Sequence, residues 1–451
     1  MSRSVPFEQT VHYRLACVAL LLLWVGFLYP NLEDSNDALA AASAAQGTWQ
    51  NQLVIVAWAA LGLFHLPAAW RNSQSRQGRN LVLLALAYCG WSACTYLWSI
   101  ESDLTVRRFL AFALMLIGCW GVGAGFYPRT EDGLRALGRH FMYAAFIAAL
   151  MLLPSRLAGR TLAELMSPTF NLKDAARPAA LTYPTGYGFL SALIVFDQLP
   201  IQRWATLAFY FLLLVFMKGR TMLGDVLAAA TILASRLTMD RLIARVLLIL
   251  GIIQTAFYGD LGTGGRLFVA WVIDGYDSIA PFMPWITIGG GLKDLMTLNG
   301  RLPLWTAMYE HISMQPWLGH GFGAFWTEEH MNQVFRLIGW HAVVAHSGFL
   351  DEILATGVIG LVLFMAIWIY GMALSLDYAR YYDRPTGHLV FGWLLLYLLF
   401  NTMDSVNQSF YKAPFFMCFT GLFALAAQYA EPAPPAPDEP RPQPVELETI
   451  A

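Results

Sequence analysis

Long apolar runs separated by short polar connections dominate the chain. They fall at about 13–29, 50–70, 81–99, 109–127, 141–154, 184–200, 204–217, 221–235, 246–259, 349–371, 389–404 and 412–428. Most approach the roughly 20 residues a helix needs to cross a bilayer, so the pattern predicts an all-α polytopic membrane protein with about twelve transmembrane helices. Two polar intervals are much longer than the rest, 155–183 and 260–348. Within the second, Leu304, Trp305, Met308 and Ile312 recur at helical spacing until Pro316 ends the run, and a similar periodicity crosses 265–280. This long outer loop therefore reads as amphipathic helices lying in the membrane interface rather than as a separate soluble domain. The organisation expected is one transmembrane domain over 1–430, followed by a Pro-rich, polar tail at 431–451 that reads as a disordered cytoplasmic extension. No internal repeat is visible.

Composition agrees and narrows the class. The chain is 57% hydrophobic and only 13% charged, with a mean hydropathy of +0.50, against about 25% charged residues in soluble domains. Cys17, Cys89, Cys94, Cys119 and Cys418 all sit in apolar runs, so no disulfide framework is expected to hold the loops. Arg3 and Arg14 precede the first apolar run and no small-residue cleavage site follows it closely, which reads as a retained first span.

Orientation follows from Lys and Arg in short connections. With the N-terminus inside, Arg3, Arg14, Arg71, Arg76, Arg79, Arg129, Arg135, Arg139, Arg203, Arg236, Arg241, Arg245, Arg380, Arg384 and Arg441 fall inside, 15 of 28 cations. Both termini are therefore expected in the cytoplasm. The outer cations are Arg107, Arg108, Arg156, Arg160, Lys173, Arg177, Lys218, Arg220, Arg266, Lys293, Arg301, Arg336 and Lys412. Headgroup contact accounts for single residues of this kind. As a set they also form an anion site, because the planar arginine fork binds phosphate bidentately and stays charged at any working pH.

His346, followed by Ser347, sits where a polar loop enters an apolar span. A histidine there can be structural, but an imidazole can also accept a proton near neutrality. His311, His320, His330, His341 and His346 are scattered without HExxH or CxxC spacing, so no metal site is expected. The turn Gly319 to Gly323 could offer backbone N–H groups to a phosphate, although it lacks the Lys-Ser/Thr of a P-loop. Glu101-Ser102-Asp103 either binds a divalent ion or solvates a turn. Asp225, inside a span and shortly after Arg220, is costly in lipid and is expected to be paired or to face a cavity.

Taken together, several runs form a pattern: Trp98-Ser99-Ile100-Glu101 with Arg107-Arg108, Lys218-Gly219-Arg220-Thr221, Gly300-Arg301-Leu302-Pro303-Leu304-Trp305, Pro316-Trp317-Leu318-Gly319-His320-Gly321-Phe322-Gly323, and Ala345-His346-Ser347-Gly348-Phe349-Leu350. In this order the chain resembles the O-antigen ligase and O-antigen polymerase superfamily over about 90–425, and looks closest to the exopolysaccharide polymerase branch. Ser347 and Thr185 stand where many relatives carry asparagine.

The resemblance implies a bacterial inner-membrane glycosyltransferase that moves glycan from undecaprenyl diphosphate on the periplasmic side, inverting and independent of metal or other cofactors. It implies His346 as general base and Arg220 and Arg301 on the departing diphosphate, with Arg177, Lys218, Arg266 and Arg108 as further substrate-binding candidates. The implied partners are the lipid-linked glycan, a glycan or lipid A core acceptor, membrane lipid and other polysaccharide-assembly proteins; none is a nucleic acid. A polymerase is the first reading and a ligase acting on lipid A core the alternative. A transporter or flippase is the rival from another class. It would place ionisable groups near the midplane and show paired halves with broken helices, whereas here the cations gather at the outer rim beside one long loop.

Overall fold

The computed structural model describes residues 17–23, 49–129, 133–157, 178–195, 200–216, 225–226, 229, 301–340, 342–403 and 413–429. Among these the protein is helical throughout. After a short helical stretch at 17–23 come α1 (Trp49–Asn72), α2 (Arg76–Cys94), α3 (Ser102–Trp120), α4 (Leu134–Leu157), α5 (Pro178–Val195) and α6 (Pro200–Phe216). The second part holds α7 (Arg301–Met314), α8 (Glu328–Ile338), α9 (Gly348–Tyr381), α10 (Arg384–Met403) and α11 (Ala413–Ala427). With their extensions, Gln52–Asn72, Arg76–Trp98, Ser102–Phe126 and Gly348–Tyr381 are long and apolar enough to cross a membrane, which makes this a multi-pass helical bundle. The runs at 221–235 (apart from residues 225, 226 and 229), 246–259 and 265–280, and the tail, lie outside the described residues.

At α2 a polar cap, not the apolar run, sets the helix start. α2 starts at Arg76, ahead of its apolar run, because the Ser75 hydroxyl accepts the Gly78 N–H at 3.0 Å and satisfies a donor that the first turn would otherwise leave open.

Lipid gives helices no hydrophobic reason to associate, so close backbone approach and buried hydrogen bonds must hold the bundle. α1 and α3 meet through glycines: a Cβ on Gly62 would lie 2.5 Å from the Gly118 Cα. Elsewhere large rings and their polar atoms do the joining. Trp368 of α9 stacks on Tyr397 of α10 at 4.2 Å. The Trp393 indole donates to Ser191 at 3.2 Å, and the Tyr210 hydroxyl donates to the Met142 carbonyl at 2.7 Å.

The bundle has two chemically different ends. At one, the α1–α2 connection carries Arg71, Arg76 and Arg79, and the α9–α10 connection carries Arg380 and Arg384. These connections share an end because the Tyr370 hydroxyl of α9 donates to the Gln77 carbonyl of α2. Arg135 also reaches Asp383 there, at 3.5 Å. At the opposite end α2 gives way to Trp98, Ser99 and Ile100, which meet the loop after α7: the Ile100 N–H donates to His320 and the Trp98 indole to Leu318.

α9 is broken at this second end. Gly357 adopts φ 71° and ψ −176°, a region open essentially to glycine alone. A regular helix would pair the Val358 N–H with the Leu354 carbonyl. Instead Val358 donates to Pro316 at 2.8 Å, and the carbonyls of Leu354 and Ala355 accept from His320 at 2.7 Å and Gly321 at 3.0 Å. The Thr356 carbonyl takes the Trp91 indole at 2.8 Å. Segment 316–321 is thus spliced into the gap and satisfies the backbone groups that the break exposes, which an apolar surrounding requires. Gly319 has φ 68°, and a Cβ there would sit 2.5 Å from the Gly357 nitrogen, so both sides of the splice require glycine.

Gly357→Ala should therefore destabilise the protein by at least the roughly 1–3 kcal/mol of such a backbone conformation, since its Cβ would also lie 2.1 Å from the Trp317 carbonyl oxygen. Gly90→Ala, where a Cβ meets nothing within 4 Å, is the control. Thermal unfolding in detergent should show a lower midpoint for the first and not for the second; equal midpoints would contradict the splice.

Candidate functional site

His346 lies where the 342–347 segment enters α9. Its neighbour Ala345 is held at both polar ends. The Asp351 carboxylate accepts the Ala345 N–H at 3.1 and 3.2 Å, and the Trp305 indole donates to the Ala345 carbonyl at 2.8 Å. Asp351 also accepts the Trp326 indole N–H at 2.7 Å. Three separate parts of the chain, α7, the segment before α8 and the first turn of α9, therefore converge on the peptide preceding His346. His346 itself takes φ 51°, the left-handed region that few side chains occupy but that histidine tolerates better than most. Its ring is half-buried with Trp340 beside it at 6.1 Å. Ser347 does not serve the imidazole: its hydroxyl turns to the Asn401 carbonyl of α10 at 3.5 Å.

α7 forms where its periodicity predicted, but its apolar face is not laid in the membrane interface. Leu304, Trp305, Ala307 and Met308 are buried against Phe325, Val334, Ala345, Leu350 and Leu354. The Trp305 indole bond explains the difference, because a buried indole needs an acceptor and the protein supplies one.

Arg301 is the first residue of α7, one turn ahead of Trp305 and so about 6 Å along the helix axis. It is thereby brought to the same end of the bundle as His346. Arg108 is engaged within the protein, where its guanidinium donates to the Gly323 carbonyl and ties α3 to the glycine loop. Arg220, Arg177, Lys218 and Arg266 lie outside the described residues. Asp225 is buried, 8% exposed.

The glycine turn is not a phosphate cradle. The N–H groups of Gly319, His320 and Gly321 are bonded to the carbonyls of Gln315, Leu354 and Ala355, and that of Phe322 to the Thr95 hydroxyl at 2.9 Å. These donors are spent within the protein, those of His320 and Gly321 on the splice. Glu101 and Asp103 are exposed at the start of α3, and among the described residues no group of three or more His, Cys, Asp or Glu is placed to hold a metal. None of the five cysteines forms a disulfide.

Two groupings were not visible in the sequence. Glu352, 1% exposed, accepts the Tyr88 hydroxyl at 2.8 Å and the Thr356 hydroxyl at 2.6 Å, joining α2 to α9 just before the break. Adjacent carboxylates at the mouth of an apolar helix were the available signal for Asp351 and Glu352. The second grouping is His311, His320 and His330 around Phe325, with ring centroids 5.1, 5.3 and 4.9 Å from it. The fold of the loop gathers histidines that the sequence scatters.

Burial lowers the pKa of all three histidines from the ordinary value, and their mutual repulsion adds to this in His311 and His320. Hydrogen bonding to the His311 carbonyl opposes the shift in His320, as Glu310 does in His311 and Glu329 in His330. The fold thus favours neutral imidazoles. The stability they contribute is complete above about pH 6.5 and is withdrawn as the pH falls below it, when the unfolded chain takes up protons first. Amide hydrogen exchange, corrected for intrinsic rate, should show protection at His320 and Gly321 falling between about pH 7 and pH 5, while α11, which carries no histidine, holds; a flat profile at the loop would show that the cluster does not titrate with folding.

The chain matches no protein-family model, and no curated protein matches it.

Proposed function

We propose that the protein is a glycan polymerase of the bacterial inner membrane. It transfers oligosaccharide repeats from undecaprenyl diphosphate to a sugar hydroxyl on the periplasmic side, with inversion and without a metal. The reading grows from the resemblance of its motifs to the O-antigen ligase and polymerase superfamily. The observation that carries it furthest is the Trp305 bond to Ala345, which joins the helix beginning at Arg301 to the residue preceding His346. An imidazole and a guanidinium are so held at one end of a membrane bundle, away from the end that collects Arg71, Arg76, Arg79, Arg380 and Arg384.

In this mechanism His346 takes the proton of the acceptor hydroxyl as that oxygen attacks the anomeric carbon from the face opposite the leaving group. The bond from the anomeric carbon to the diphosphate oxygen breaks, and its electron pair leaves with undecaprenyl diphosphate. The leaving group gains one negative charge, which Arg301 and Arg220 stabilise as fixed cations. The imidazolium then returns its proton to water. A positioned base of this kind is worth about 10²–10⁴ in rate.

Purified protein supplied with lipid-linked repeat alone decides between the alternatives. Lengthening products mean polymerase, reaction only after adding lipid A core means ligase, and movement of labelled donor across the bilayer with no new glycosidic bond means transport. His346→Ala should insert normally, lower kcat by about 10²–10⁴ and leave untransferred lipid-linked glycan to accumulate; polymer at the normal rate would remove His346 from the chemistry. Arg301→Lys keeps the charge but loses the fork, so transfer should drop about tenfold to a hundredfold, the worth of a charged hydrogen bond. Unchanged kinetics would reduce Arg301 to a headgroup contact.

A further inference from the structure

The Asp351 carboxylate is 2% exposed and lies in the first turn of α9, where the positive end of the helix favours a negative charge. It accepts the Ala345 N–H with both oxygens and the Trp326 indole N–H with Oδ1. Its own N–H donates to the Ser347 carbonyl at 3.0 Å. The Asp351 carboxylate therefore holds the residue before His346, the first backbone turn of α9 holds Ser347 after it, and Trp305 closes the remaining polar group of Ala345. A residue suspended between two fixed neighbours has little backbone freedom, and His346 sits at φ 51°. We infer that Asp351 is a positioning residue for His346: its carboxylate clamps Ala345, while the backbone of α9 holds Ser347, and so aims the imidazole.

The inference rests on the reading of His346 as the base, but its physical content does not depend on the sugar chemistry. Asparagine cannot replace the carboxylate, because an amide nitrogen in place of one oxygen sets a donor against the Ala345 N–H. The clamp acts on geometry at the reacting atoms and not on donor binding, so its loss falls on kcat.

The test uses the full chain in nanodiscs with Asp351→Asn and, as a milder variant, Trp326→Phe, which keeps a ring and removes only the indole N–H. Diethyl pyrocarbonate modification is followed peptide by peptide by mass spectrometry, alongside transfer kinetics. Both variants should raise the modification rate at His346, by about fivefold, as loss of one net hydrogen bond implies, while His311, His320 and His330 keep theirs. Asp351→Asn should lower kcat about tenfold to a hundredfold with KM for the lipid-linked donor unchanged. Should Asp351→Asn fail to fold, Trp326→Phe carries the test. An unchanged rate at His346 in the folded variants, or unchanged kcat for Asp351→Asn in a protein that transfers glycan, would overturn the clamp. If the wild type transfers no glycan, the enzyme reading fails while the His346 modification rates still decide the positioning role.

Discussion

A backbone polar group cannot be left open inside an apolar bundle, and the rest of this structure follows from how that demand is met at Gly357. Breaking α9 exposes carbonyls and an N–H in a place that water does not serve. Segment 316–321 and the Trp91 indole fill the gap group for group. Loop and helix are therefore one unit: the loop after α7 cannot move without unpairing α9, and α9 cannot straighten without expelling the loop.

The unit has a consequence for the chemistry. Once 316–321 is fixed in α9, the chain before and after it is fixed too, which sets α7 on one side and Phe325 and Trp326 on the other. Both supply indoles to the approach of α9: Trp305 to the Ala345 carbonyl and Trp326 to Asp351. A histidine on a polar entry segment thereby becomes a side chain with a defined direction, and the arginine that opens α7 is carried to the same end. Mobile approach loops could bring the same residue types together only part of the time, at an entropic cost for each encounter.

The two ends of the bundle divide the charge. Arg71, Arg76, Arg79, Arg135, Arg380 and Arg384 occupy short connections and helix ends at one side, held near one another by the Tyr370 to Gln77 and Arg135 to Asp383 contacts. The other side carries the glycine loop, His346, Arg301 and Arg108. Arg108 illustrates a limit on reading cations by position alone: it lies at the glycine-loop end near the start of α3, yet its guanidinium bonds to the Gly323 carbonyl.

Helical class, the apolar spacing that α7 buries and the separation of charge between the ends were legible in the chain, because periodicity and the cost of charge in lipid act locally and leave a mark at each residue. The sequence could not say that Gly319, Gly321 and Gly357 belong to one splice rather than to a phosphate turn and a span. Nor could it say that α7 buries its apolar face in protein, that His311, His320 and His330 meet at Phe325, or that Asp351 grips Ala345. Each of these depends on which distant carbonyl lacks a donor, and that is decided only when the helices are packed and every buried polar group must find its partner.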